Sequence, residues 1–305
     1  IQKEGYKNRV PEILQNDLPE SEEPWHLLKN SYGKYCGDNI EGCKFNISSN
    51  KKVYIIGDSH MASLMFNLKD RVVKNNYQFI TPVEGCIFFP GFNKIDIKTK
   101  TISEKCNDSY FQKLKQTLLN EKNSIIIFGG RFPLYLSNYY FDNQEGGVEG
   151  KEWIDKYVPT GKYDTIQNSF KNEFLKISKK NKIILIYPIP EVGWSVPRKL
   201  NIFFKSISKT RIGLSKEEDF ITTSYKVYKN RTKSSFELLD SIQDDNIYRV
   251  YPHTLFCDTT IKDRCVTHDD KDIFYADDDH PSIKGAEMIN DLIMKEIEKI
   301  ELQFN

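Results

Sequence analysis

Two short runs, Ile125-Ile126-Ile127-Phe128 and Ile183-Ile184-Leu185-Ile186, are apolar at every position. A strand with one wet face alternates apolar and polar residues, so strands without alternation belong in a parallel sheet covered on both faces. The chain supplies the cover. Segments of strand character at 53–57, 77–81, 124–129, 182–187 and 247–251 alternate with segments of helical period at 61–74, 109–121, 165–180, 216–241 and 282–300. The pattern predicts an α/β fold of three layers, α/β/α, around a mainly parallel five-stranded sheet. With 305 residues, 39% of them hydrophobic, there is apolar material for one large domain, taken as 51–305, plus an extension, 1–50. The extension carries Pro11, Pro19 and Pro24, acidic Glu20, Glu22 and Glu23, and little periodicity. It is expected to pack on the main domain through Trp25, Leu27, Leu28 and Tyr32.

Charge excludes some classes of partner. Lys and Arg total 44 against 43 Asp and Glu, without a basic block, so no nucleic-acid groove is expected. No apolar run approaches the roughly 18 residues that cross a bilayer, and no signal-peptide pattern opens the chain. A soluble monomer is expected. The polar, Pro-punctuated opening from Ile1 reads as the end of a linker, so the chain is expected to be a piece of a longer polypeptide. Six cysteines lie in three sequence-local pairs: Cys36 with Cys43, Cys86 with Cys106, Cys257 with Cys265. None has Cys-x-x-Cys spacing, so proximity suggests three disulfides in an oxidising compartment, with buried free thiols as the alternative.

The strand at 53–57 runs into Gly57-Asp58-Ser59-His60 and then a helical segment, which puts Ser59 at or beside a helix N-terminus. Unpaired N–H groups and the positive end of the helix dipole would there face an oxyanion formed beside a nucleophilic Ser59. Alternatively, Asp58 or Ser59 simply caps the helix. Near the other end, Tyr275-Ala276-Asp277-Asp278-Asp279-His280-Pro281-Ser282 precedes the last helical segment, with Pro281 placed as its first residue. Asp277, three residues before His280, can accept a hydrogen bond from one imidazole nitrogen and leave the other to take a serine proton. Three carboxylates in a row can also be a solvated cap or a weak cation site, but no further His or Glu has ligand spacing and no metal is assigned. The loops 133–161 and 188–214 are long and aromatic, which suits either site walls or satellite packing. Asn46, Asn107 and Asn230 begin Asn-x-Ser/Thr patterns that are read as chance.

Taken together, Ile56-Gly57-Asp58-Ser59-His60, Glu84-Gly85-Cys86, Gly129-Gly130-Arg131-Phe132, Tyr187-Pro188-Ile189-Pro190-Glu191-Val192-Gly193 and the run from Cys257 through Asp277-Asp278-Asp279-His280-Pro281-Ser282 resemble the SGNH hydrolase superfamily. More closely, they resemble the periplasmic SGNH domain fused to membrane acyltransferase-3 proteins that O-acetylate bacterial surface glycans. The resemblance spans about residues 52 to 300. It implies a flavodoxin-like sheet of SGNH-hydrolase type, Ser59 as nucleophile, His280 as base and then acid, and Asp277 as the residue that orients His280. Gly85 would lend its N–H, with that of Ser59, to an oxyanion hole. Where the family's third block carries an Asn donor, this chain has Arg131, which can stabilise an oxyanion, hold a substrate carboxylate or hydroxyl, or pair with an acid such as Asp58.

The function implied is transfer of acetyl through an acyl-serine to a hydroxyl of a cell-surface polysaccharide, lipopolysaccharide O-antigen or a related envelope glycan. The implied partners are that glycan and a membrane acyltransferase-3 domain of the same polypeptide. That domain would handle acetyl-CoA as the ultimate donor, so the chain itself needs no cofactor, and its place is the periplasmic side of the inner membrane. The alternatives are a free carbohydrate O-acetylesterase and a non-catalytic glycan-binding domain.

Overall fold

The structure, a computed structural model, describes residues 24–38, 42–82, 85–150, 155–206 and 220–304. After short 3-10 turns at Pro24–His26 and Cys36–Asp38 come β1 (Cys43–Phe45), β2 (Lys52–Ile56), α1 (Ser59–Lys74), β3 (Gln78–Thr81), β4 (Phe92–Asp96), α2 (Asp108–Asn120) and β5 (Ile125–Phe128). There follow α3 (Phe132–Ser137), β6 (Asp155–Pro159), α4 (Ile166–Ser178), β7 (Lys182–Ile186), α5 (Val196–Ser206), β8 (Thr222–Ser224) and α6 (Tyr225–Asp240). The chain closes with β9 (Ile247–Val250), α7 (His253–Phe256), β10 (Arg264–Val266) and α8 (Ile283–Phe304).

The central sheet runs β1-β3-β2-β5-β7-β9, and all the pairings except β1 with β3 are parallel. Successive strand residues feed opposite faces, as a period of two requires. Val53, Ile55, Ile125, Ile127, Ile184 and Ile186 join the core under α1 and α8, while Tyr54, Ile56, Ile126, Phe128, Ile183 and Leu185 join the one under α2, α4 and α6. Each such side chain contributes about 1.5–3 kcal/mol by leaving water, so both faces must stay covered.

The five expected parallel strands are present, and a sixth joins them from the segment read as extension. Cys43–Phe45 pairs antiparallel with β3, Cys43 opposite Thr81. In the same segment Leu28 is buried, Leu27 is half-buried and Tyr32 is 87% exposed, so Tyr32 does not pack on the domain as expected. Pro11, Pro19, Glu20, Glu22 and Glu23 lie outside the described residues, as do 216–219. The helix expected from 216 starts at Tyr225 instead, because Thr222–Ser224 is drawn into a ladder with Arg264–Val266 and Ser224 then caps the helix by accepting from the Val227 N–H. Pro281 is not the first residue of α8: Ser282 Oγ accepts from the Gly285 N–H at 3.1 Å, which makes Ser282 the cap. The 133–161 loop holds most of α3 and all of β6, the latter paired with β4; its Tyr135 joins the core under α2, α4 and α6, and its Phe141 is buried. Disulfides join Cys36–Cys43, Cys86–Cys106 and Cys257–Cys265, the three pairs that lie close in sequence.

Candidate active site

Strand β2 leads into Gly57, where a Cβ would collide with the Met61 side chain and the Gly129 carbonyl, so only glycine lets α1 start this close to the sheet. Asp58 is the N-cap of α1. Its Oδ1 accepts from the His60 N–H at 3.1 Å and its Oδ2 from the Arg131 N–H at 2.8 Å, which ties the turn after β2 to the turn after β5. Because Asp58 does the capping, the hydroxyl of half-buried Ser59 is left for another partner.

That partner is His280. Its Nε2 lies 2.8 Å from Ser59 Oγ, and its Nδ1 lies 2.8 Å from Asp277 Oδ2. The other oxygen of Asp277 accepts from the backbone N–H groups of Asp279 (2.9 Å) and His280 (2.7 Å), so one carboxylate shapes the loop and faces the ring. The loop after β7 grips this segment from outside. Val192 and Gly193 donate to the Asp278 carbonyl and Val196 to that of Asp277. Trp25 lies across the imidazole, ring centroids 4.1 Å apart at 34°. Ser59 is thus brought to His280, 221 residues away in sequence, and to its neighbour Asp277; Gly85, at φ +87° after β3, is hydrogen-bonded to none of the three, and its neighbour Glu84 lies outside the described residues.

Arg131 sits behind this row rather than in front of it. Its guanidinium contacts Asp279 Oδ2 at 2.7 Å, Glu191 Oε1 through Nε at 2.6 Å, and Glu149. Glu191 is shared with Arg231 at 2.9 Å. The Arg131 fork therefore pairs with acids, though not with Asp58, which takes only its backbone N–H. Buried Asp279 also accepts from His60 Nε2 at 2.9 Å and approaches His280 Nδ1 with Oδ1 at 2.9 Å. His60, Asp279, Glu149 and Glu191 were not singled out by sequence reasoning. Only the structure shows His60 buried on the first turn of α1.

The electrostatics follow from these contacts. Burial alone would push the His280 pKa down, but hydrogen bonds and charge from Asp277 and Asp279 outweigh it and raise the imidazole to about 10. Burial works against the charge on Asp279, yet Arg131, His280 and His60 hold its carboxyl well below the usual range. Glu149 is pushed up to about 7 by burial despite Arg131, and Asp278 is raised by burial and its acidic neighbours. Two groups, His60 with Asp279 and His280, and Glu149 with Asp278 and Asp279, bring possible cation donors within 4.8 Å of one another. Asp279, common to both, is already engaged by Arg131 and two imidazoles, so its oxygens serve as hydrogen-bond acceptors here. Chemically, the row can move a proton from a serine hydroxyl to an imidazole whose cation is stabilised from behind.

Comparison with known proteins places this geometry. The family model described as SGNH domain (fused to AT3 domains) matches residues 28–295. No curated protein matches the chain. Among solved structures, the periplasmic domain of a lipopolysaccharide acetyltransferase from Salmonella ser. Paratyphi A aligns over 83% of this chain and 87% of that one, at 14% identity and a TM-score of 0.51. A GDSL-like lipase from Bacteroides thetaiotaomicron aligns at 13% identity over 83% of this chain and 94% of that one, TM-score 0.35. A possible lipase from Chitinophaga pinensis aligns at 12% over 82% and 99%, TM-score 0.35. What is shared with the acetyltransferase domain at such identity is the fold.

Proposed function

The chain belongs to the family of SGNH domains fused to AT3 domains, and from that premise we propose that it is an O-acetyltransferase working through an acyl-serine. The observation that carries the reading is Ser59 Oγ at 2.8 Å from an imidazole whose far nitrogen rests on carboxylate. In the proposed cycle Ser59 attacks the acetyl carbonyl of the donor while His280 takes its proton. The oxyanion of the tetrahedral intermediate is held by the Ser59 N–H at the start of α1 and by the Gly85 N–H. His280 returns the proton to the leaving group, and the acetyl stays on Ser59. An acceptor hydroxyl, deprotonated by the same imidazole, then attacks the ester and releases Ser59. Asp277 orients His280. Arg131, engaged by three carboxylates, acts on the site only through Asp279.

The acceptor class proposed is an envelope polysaccharide, lipopolysaccharide O-antigen or a related glycan. Similarity in fold to the periplasmic domain of a lipopolysaccharide acetyltransferase supports it. The partner proposed is a membrane-embedded acyltransferase-3 domain that delivers acetyl, with acetyl-CoA as ultimate donor and no cofactor bound by this chain. Three disulfides suit the periplasm, an oxidising compartment.

The test uses the purified chain with an acetyl ester donor, with and without glycan. Expected are an adduct of one acetyl group on Ser59, its transfer to glycan, and loss of both in Ser59→Ala. Acetate release with no glycan product would favour the free esterase, and glycan binding undiminished with no acetyl adduct would favour a non-catalytic domain.

A further inference from the structure

Resting on the reading of Ser59 and His280 as the reacting pair, we infer that His60 and Asp279 form a second relay behind His280, positioning its imidazole and setting the pH range over which it works as a base.

The relay has the form imidazole, carboxylate, imidazole. Asp279 spans the two rings, Oδ2 at 2.9 Å from His60 Nε2 and Oδ1 at 2.9 Å from His280 Nδ1. The rings meet edge to face, centroids 5.1 Å apart at 72°. Asp277 reaches the same Nδ1 at 2.8 Å, but the two acids differ in freedom. The Asp277 side chain is 30% exposed, whereas that of Asp279 is 4% exposed and fixed by two donors on Oδ2, His60 and Arg131. A carboxylate open to water can swing or be screened; one clamped by a buried imidazole and a buried guanidinium cannot.

His60 has no other polar task among the described residues. Its side chain is 1% exposed, its Nδ1 has no hydrogen-bond partner, and its Nε2 faces only Asp279. Burying an imidazole with half its hydrogen-bonding capacity unused costs stability, so its one bond needs a reason. That bond holds Oδ2, which leaves Oδ1 aimed at His280. The charged groups gathered around His280 are Asp277, Asp278 and Asp279 on its own loop, with His60 from α1, Arg131 and Glu149 from the segments after β5, and Glu191 from the loop after β7. Of these, His60 is the donor whose removal disturbs Asp279 without freeing an arginine.

The experiment follows the His280 ring resonances through a pH titration by NMR in the intact chain. It pairs that with the pH dependence of Ser59 acylation by p-nitrophenyl acetate, read as kcat and KM. His60→Asn, too short to reach Asp279, is expected to lower the His280 pKa by about one unit, moving the rise of acylation with pH down by the same amount, and to lower the limiting kcat on the alkaline plateau by about tenfold, with KM little changed. His60→Gln places an amide N–H near the lost Nε2–H and is expected to recover most of both effects. Asp279→Asn, near in shape to the native residue, is expected to lower the pKa further. An unchanged His280 titration in His60→Asn and in Asp279→Asn would overturn the relay, as would His60→Gln behaving like His60→Asn. Should His60→Asn not fold, Asp279→Asn decides. Acylation that persists in Ser59→Ala would instead defeat the acyl-serine reading, and the titration would still judge the relay.

Discussion

Asp277, Asp278 and Asp279 are identical in the sequence and do different things in the fold. Asp277 shapes the loop and orients the ring, Asp278 is held toward its neutral form beside Glu149, and Asp279 is kept charged by Arg131. The ring they surround gains most from being protonated. His280 has its folded pKa raised to about 10, so its contribution to stability is fully present below the ordinary imidazole pKa and is lost as pH rises through about 10. In the proposed cycle the sign is opposite, because a general base must be neutral. Acylation of Ser59 should therefore accelerate by about tenfold per pH unit from about pH 7 toward pH 9, measured by stopped flow with an activated acetyl ester. A profile that levels off near the ordinary imidazole pKa would show that the two acids do not act on the ring as drawn. Ser59→Ala and His280→Ala should each reduce acylation by about 10⁴-fold or more, and the double variant by little beyond either, because the pair works as a unit.

At the scale of elements, the strap 24–38 packs on the domain through Trp25, Leu27 and Leu28, as its sequence led one to expect, though not through Tyr32. Its Leu28 is buried, a bridge joins Lys29 to Tyr35, and Cys36–Cys43 fastens it to the edge strand, which sets Trp25 on His280. Trp25→Ala should open the acyl-serine to water. The expected outcome is a hydrolysis-to-transfer ratio raised by about tenfold with unfolding little changed, read from acetate and acetylated glycan in one reaction. A ratio that stays put would mean that the indole only packs. The disulfide Cys86–Cys106 closes the longest of the three loops, at a separation of 20. Replacing both cysteines with alanine should cost about 3 kcal/mol in urea unfolding, more than loss of either shorter bridge, under the chain-entropy account. The parallel strands were legible because a strand such as Ile125–Phe128, buried on both faces, cannot hide its composition. The start of α6 was not, because β8 has no signal of its own until β10 lies beside it. Tyr32 misled for a related reason: an aromatic in a loop packs only where a surface happens to pass.

For the whole molecule, the site closes only when the first and last helices of the sheet domain meet. Asn290 Nδ2 of α8 donates to the Leu64 carbonyl of α1 at 3.0 Å, and Arg71 pairs with Asp291. Ser59 and His280 could be read from sequence because each lies in its own turn before a helix, a local signal. The acids behind them could not, since Glu149, Glu191 and Asp279 reach Arg131 from separate loops and only the tertiary fold assembles them. That assembly also governs how stability depends on pH. Asp279, Glu191, Glu173 and Glu121 have lowered pKa values, so their contributions are present above the ordinary carboxylate range and vanish as pH falls through it. Glu149 runs the other way. With its folded pKa at about 7, the folded state keeps a proton that the unfolded chain has already lost, and stability declines as pH climbs from the ordinary range to about 7. Unfolding free energy should therefore peak near about pH 5. Glu149→Gln cannot ionise, so its stability relative to wild type should improve by up to about 3 kcal/mol between about pH 5 and pH 8, then hold level. Urea unfolding at a series of pH values checks this, and curves that stay parallel across that window would mean that Glu149 is already ionised there like an ordinary surface acid, sharing the Arg131 charge with Asp279 and Glu191.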